Sequence, residues 1–284
     1  IDIRRNGAAV EAVASGGSSS GSSGSGSSGS SSGGSTPASS TLAAHSPGIV
    51  LGTHLEPTHA RELLPCVDVP SSKAVFHLTL RGVPRHLQAI SNTPILRTED
   101  ETAAADDGGC RYAVKTVVFQ PTPAMPTYVF GFWVGDFHCV SARALMTAAV
   151  RSSDVSLPPP PPARLEEEEE DAVQINVHVV RGVGLKGVEF ALEFATRAFE
   201  LFSKLFSVRF PIPKLDLIGL PQMHGLGMEN FGAITCLQEY LVVTPDTTFV
   251  RRRRIARLIC HEISHMWYGD LVTPNSFDEL WLKE

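Results

Sequence analysis

The last two dozen residues, HEISHMWYGDLVTPNSFDELWLKE, constrain this chain more than any other stretch. His261, Glu262 and His265 form an H-E-x-x-H motif. Residues four apart on an α-helix sit about one turn up on the same face, so both imidazoles can reach one metal ion, most often zinc. Glu262 lies one residue on from the first histidine and can act as general base toward a water at that metal. Leu258, Ile259 and Cys260 precede the motif, and Met266 and Trp267 follow it. An apolar setting of this kind marks a buried helix, and buried imidazoles need partners. The plainer reading, two solvated histidines and a surface glutamate, does not explain that setting. The helix is expected to run through Trp267 and stop near Gly269, with Pro274 and Asn275 in a turn. Ser276 with Glu279 reads as the capping box of a second helix, on which Glu284 sits. A catalytic zinc needs three protein ligands, and this second helix is where the third is sought.

H-E-x-x-H followed by eighteen residues and a glutamate resembles the aminopeptidase N family of zinc metallopeptidases, which includes the puromycin-sensitive aminopeptidases. HMWYGDLVT and ELWLKE are similar to the family's segments around those ligands. Leu226-Gly227-Met228-Glu229-Asn230 matches the family's G-A-M-E-N signature at its last three positions and departs at the first two. The resemblance implies Glu284 as third ligand and one Zn2+ per chain. It further implies that Glu229 binds the substrate's α-ammonium, with Gly227, Met228 and Asn230 in the same substrate-binding loop. GTHLEPTHARELLPCVDVP, from Gly52, is similar to part of the family's N-terminal β domain. There Glu56 matches a glutamate that helps hold the amine. His54 stands where the family usually has Gln, Val69 where it usually has Glu, and Lys283 where it commonly has Asn.

The expected chemistry is metal-assisted hydrolysis of peptides with a free N-terminus. A carboxylate in a water-poor cleft attracts a cation more strongly than it would in bulk water. If Glu229 holds the amine one residue from the zinc, only terminal peptide bonds fit, which describes an exopeptidase. In the family a tyrosine beyond the third ligand donates to the oxyanion, and Tyr112, Tyr128, Tyr240 and Tyr268 all lie earlier. The chain is therefore expected to be a fragment without the family's first strands or anything after Glu284, binding zinc weakly and turning over little. Loss of one oxyanion donor alone costs on the order of 10² to 10³ in rate. Two alternatives accompany this reading: a relative that opens a lipid epoxide, and a non-enzymatic peptide-binding fragment.

The expected fold class is α+β, with a partial all-β domain over 1–172 and a partial thermolysin-like zincin catalytic domain over 173–284. Phe76, Leu78 and Leu80 alternate with His77, Thr79 and Arg81, and Val114–Phe119 and Tyr128–Val134 also read as strands. In the second domain Val173–Val180 alternates in the same way. A helix over about 188–206 presents Phe190, Phe194, Ala198, Leu201, Phe202 and Leu205 as one apolar face, and Leu215–Leu220 is a strand. Two tracts are solvated insertions by composition: the Ser/Gly-rich 15–40 and the Pro/Glu-rich 158–171. A turn is expected at 106–109.

An apolar content of 43% supports a packed core, and a net charge of −6 gives no reason to expect nucleic acid. Arg251–Arg254, without interleaved aromatics, reads as a solvated face of a helix capped by Asp246 or Thr247. Five scattered cysteines favour a reducing, cytoplasmic compartment over secretion. No apolar run reaches transmembrane length.

Overall fold

The computed structural model describes residues 2–5, 8–11, 50–105, 111–146 and 172–284. The tracts at 15–40 and 158–171 and the turn at 106–109 lie outside the described residues. The first region is β-rich. Strands β1 (Asp2–Arg5), β2 (Ala8–Glu11), β4 (Phe76–Pro84), β6 (Ile95–Ala105) and β7 (Arg111–Phe119) form an antiparallel sheet in the order β2-β1-β4-β7-β6. Alternation in β4 appears as expected: Phe76, Leu78 and Leu80 are buried while His77 and Arg81 face solvent. A smaller sheet pairs β3 (Leu51–Gly52), β8 (Phe132–Gly135) and β5 (Gln88–Ser91) around the fully buried Trp133. The expected strand over 128–134 begins instead as a 3-10 turn, Thr127–Val129, and extends only from Phe132. Here the Val129 carbonyl turns out of a ladder to accept from Asn92 Nδ2 (2.8 Å) and from the Phe231 amide (3.1 Å).

The second region is a mixed α/β layer. Its sheet runs β12-β13-β11-β10-β9, from Gly227–Met228 (β12), Ala233–Leu237 (β13), Lys214–Leu220 (β11), Ala172–Val180 (β10) and Phe137–Leu145 (β9). The three central strands are parallel and the two edges antiparallel. Strand β9 pairs with β10 along its whole length, so the sheet takes in a strand from before residue 146. A parallel neighbour requires a crossover, and helix α2 (Glu189–Phe206), the next helix after the single turn α1 (Ala60–Leu63) of the first region, supplies it between β10 and β11. The buried side of α2 is Ala191, Ala195, Ala198, Phe199 and Ser203. Leu201 and Leu205, expected on the apolar face, are 60% and 66% exposed. Small alanines let the helix approach the sheet closely, and that approach fixes which stripe turns inward. Helix α3 (Phe249–Ser264) packs beside α2. One apolar cluster runs unbroken from Phe76 and Tyr128 in the first region to Phe231, Ile259 and Trp267 in the second. Among the described residues no helix is long and apolar enough to cross a membrane.

Candidate metal centre and peptide site

Helix α3 begins at Thr248, not at Asp246 or Thr247: the Thr248 side chain accepts from the Arg251 amide at 3.3 Å. The arginines of its first turns are used locally. Arg251 pairs with Glu239 at 3.2 Å and lies over the Tyr240 ring, and Arg252 donates to the carbonyls of Thr244 and Thr247. The regular helix ends at Ser264, and His265 keeps helical backbone angles as its C-cap. Gly269 then takes φ +127°, a conformation costly for any residue with a Cβ, and turns the chain back. Glu284 arrives on a 3-10 helix, Phe277–Leu282, rather than an α-helix. Ser276 caps it by accepting from the Asp278 amide at 3.2 Å, and Glu279 gives its own amide to the Ser276 carbonyl.

These elements bring His261, His265 and Glu284 together, with one ligand atom from each within 4.8 Å of the others. His265 Nε2 and His261 Nε2 are 3.1 Å apart, His261 Nε2 is 3.3 Å from Glu284 Oε2, and His265 Nε2 is 3.7 Å from Glu284 Oε1. Bonds of about 2.0–2.1 Å at tetrahedral angles place donor atoms roughly 3.3 Å apart, so the three fit a zinc ion. The protonation pattern fits as well. His265 is fully buried, and its Nδ1 is 2.9 Å from the Tyr268 carbonyl, an acceptor only. The ring proton therefore sits on Nδ1, and Nε2 turns a lone pair toward the other two donors. Burial, with His265 alongside, lowers the His261 pKa and favours its ligating neutral form.

Glu262 is 4% exposed. Burial pushes its carboxyl well above the usual carboxylate range, and the Glu229 and Glu284 charges push the same way. It lies directly against β12: a Cβ built on Gly227 would run into the Glu262 carboxylate. A glycine here is a matter of room rather than of backbone angle. Met228, which ends β12, and Glu229 and Asn230 in the loop after it are all buried. Asn230 closes it by accepting the Ala233 amide at its carbonyl (2.8 Å). Strand β12 pairs on one side with β13 and is the sheet's edge on the other, where an extended peptide can add.

Glu229 and Glu56 meet, although they belong to different regions, and what joins them is Lys283. Its Nζ hydrogen-bonds Glu56 Oε1 at 2.7 Å and Glu229 Oε1, pairs with Glu284 Oε1 at 3.1 Å, and stands 5.0 Å from the Tyr128 ring centre. The Lys283 side chain is 2% exposed. Burial acts to lower its pKa, but Glu229 and Glu56 outweigh that and raise it.

Sequence reasoning left three further contributors unassigned. Asn92, fully buried, ties the loop after Glu229 to the first region through Val129 and Phe231. Tyr128 donates its hydroxyl to the Gly269 carbonyl (3.2 Å) and so braces the turn after His265. Asp270 is fully buried with neither carboxylate oxygen hydrogen-bonded, and burial followed by the Glu229 charge holds its carboxyl well above the usual range. An Asn just past a strand end carries no local pattern that distinguishes it in sequence, and Lys283 stood out there only as a departure from the resembled family's usual Asn.

Residues 190–284 match the model of the Peptidase family M1 domain, and residues 41–129 that of the Peptidase M1 N-terminal domain. Among curated proteins, the leucyl aminopeptidase of Saccharolobus solfataricus is 31% identical over 242 residues, covering 85% of this chain and 26% of the relative. The puromycin-sensitive aminopeptidase of Caenorhabditis elegans is 33% identical over 233 residues, covering 82% of this chain and 21% of the relative. Aminopeptidase N of Lactococcus lactis is 29% identical over 237 residues, 83% and 24% respectively. The chain spans about a quarter or less of the length of these relatives.

Proposed function

Since the chain belongs to peptidase family M1, we propose that it carries the metal-binding core of a zinc-dependent aminopeptidase. The observation that carries this reading is the convergence of His261, His265 and Glu284, with separations of 3.1–3.7 Å, beside the buried Glu262. Zinc held by those three ligands acidifies a water and polarises the scissile carbonyl.

The remaining work falls to the chain's own residues. Glu262 takes the proton of the attacking water and passes it to the leaving amine. Glu262 would serve as base in its ionised form, which the positive charge of a metal held by His261, His265 and Glu284 would favour against burial. The free edge of β12 aligns the peptide in extended form. Glu229, with Glu56, binds the substrate ammonium and sets the distance from the N-terminus to the cut bond. Peptides with a free N-terminus are the substrates, one residue being released at a time.

The test is metal content and hydrolysis measured together on the purified chain and on Glu284→Ala, with an aminoacyl anilide and its N-acetylated counterpart. About one zinc per chain at saturating metal, lost in the variant, with slow cleavage confined to the free-amine anilide, is the expected result. Zinc bound equally by both proteins, or cleavage indifferent to acetylation, refutes the reading.

A further inference from the structure

The ammonium that sits between Glu56 and Glu229 belongs to this chain itself. We infer that Lys283 sets the specificity of the site by competing, from within, for the carboxylates that anchor a substrate's free N-terminus. The inference rests on the anchoring role proposed above for Glu229 and Glu56.

A lysine ammonium has three protons to donate and no acceptor. Glu56, at 2.7 Å, and Glu229, in direct contact, each accept one, and Glu284 forms an ion pair with the same nitrogen at 3.1 Å. The Tyr128 ring face, 5.0 Å away, lines another side of the ammonium. A substrate's α-ammonium is the same chemical group and seeks the same partners. Two ammonium groups cannot share one carboxylate pair at contact distance without strong repulsion. Lys283 also halves the net charge that Glu56 and Glu229 present together, from −2 to −1. An N-terminus must therefore displace Nζ or bind a weakened anchor.

The fold makes displacement feasible while keeping Lys283 in place at rest. Its stem passes Gly269, where a Cβ would stand 3.5 Å from Cδ. The four-carbon stem can swing without moving the backbone, which the Leu280 carbonyl fixes at the Lys283 and Glu284 amides (3.0 and 3.1 Å). Glu284 takes part in both arrangements, since its Oε1 pairs with Lys283 Nζ at 3.1 Å and lies 3.7 Å from His265 Nε2. The amine anchor and the metal ligand set are thus joined through one side chain.

The test is isothermal titration of L-leucinamide and N-acetyl-L-leucinamide into the zinc-loaded full chain, as wild type, Lys283→Asn and Lys283→Met. Methionine keeps an apolar stem of similar length against Gly269 and removes the ammonium, its charge and its hydrogen bonds together. Both variants are expected to bind L-leucinamide at least about tenfold more tightly, as removal of one like charge at contact predicts. The acetylated amide, which lacks the cation, is expected not to change. Free-amine affinity that stays constant or falls in Lys283→Met, at unchanged melting temperature, overturns the inference and leaves Lys283 a structural tether. So does equal tightening of both ligands. If the chain takes up no zinc, the metal-centre reading fails separately, and the same titrations without metal still decide the contest for Glu56 and Glu229.

Discussion

Replacing Asn92 with alanine tests how the two regions hold the peptide site. Asn92 is fully buried just past β5, and its side chain makes three hydrogen bonds. Nδ2 donates to the carbonyls of Val129 (2.8 Å) and Phe231 (2.9 Å), and Oδ1 accepts the Gly131 amide (2.9 Å). Each such bond contributes about 1 kcal/mol net, and a buried group left without a partner costs about 1–3 kcal/mol. Val129 keeps the Phe231 amide as a second donor, so the loss falls mainly on the Phe231 carbonyl and the Gly131 amide. Asn92→Ala is expected to cost about 3–4 kcal/mol in urea unfolding followed by tryptophan fluorescence. Asn92→Asp retains the acceptor for Gly131 but turns a second carboxylate oxygen toward two carbonyls, so it is expected to be no better than alanine. Because Phe231 follows Glu229 and Asn230 directly, both variants are also expected to weaken substrate binding. A loss under about 1 kcal/mol for alanine, or wild-type stability for aspartate, refutes the assignment of Asn92 as the pin of this loop.

Four other outcomes follow from the geometry. His178 is buried beside Asp216 (3.4 Å); burial lowers its pKa, but hydrogen bonds to Asp216 and Cys139 outweigh that and lift it from 6.5 to about 9. A raised histidine stabilises fully below its unfolded value, and the contribution disappears as pH rises through the folded one. Stability should therefore fall by up to about 3 kcal/mol between pH 6.5 and 9, and His178→Gln should flatten that decline in urea titrations. Burial pulls Lys214 down from 10.5, which opposes the loss at the alkaline end, so the difference between wild type and His178→Gln is the quantity to read. Gly227→Ala places a Cβ on the Glu262 carboxylate and is expected to lower kcat about 10²-fold with zinc content unchanged; parallel loss of zinc would contradict it. Phe199→Ala, a fully buried ring 5.4 Å from both Phe210 and Trp267, is expected to cost about 3–5 kcal/mol. Leu205→Ala, at a site 66% exposed, should stay within about 0.5 kcal/mol by the same unfolding assay.

Local chemistry made much of this legible in advance. The i, i+4 histidines needed only helical spacing to share a face, and β4 declared its buried side by alternation. Elements whose fate depended on their neighbours were harder to read. Asn176 and His178 alternate with apolar residues in β10 as solvent-facing positions would, yet both are buried. Asn176 Nδ2 donates to Asp216 Oδ1 at 2.7 Å, and Lys214 Nζ reaches the Ser91 carbonyl (2.5 Å) and Asp216 (2.7 Å). A polar network of this kind joins strands far apart in sequence, and no local window contains all its members.

The amino-acid sequence by itself determined which donors exist, the helical setting of the two histidines, and the class of metal such donors suit, because these depend on residue type and spacing within one or two turns. Tertiary structure decided what those donors meet. Only folding carries Glu56 across from the β-rich region to Glu229, sets the Glu284 carboxylate 3.3 Å from His261, and closes the Lys283 ammonium between carboxylates that are 54 and 227 positions away along the chain. Charge–charge contacts act through space and fall off with distance rather than with sequence separation. Lys283, which the sequence marked only as a departure from the family's usual Asn, thus acquires its role only where the two regions meet.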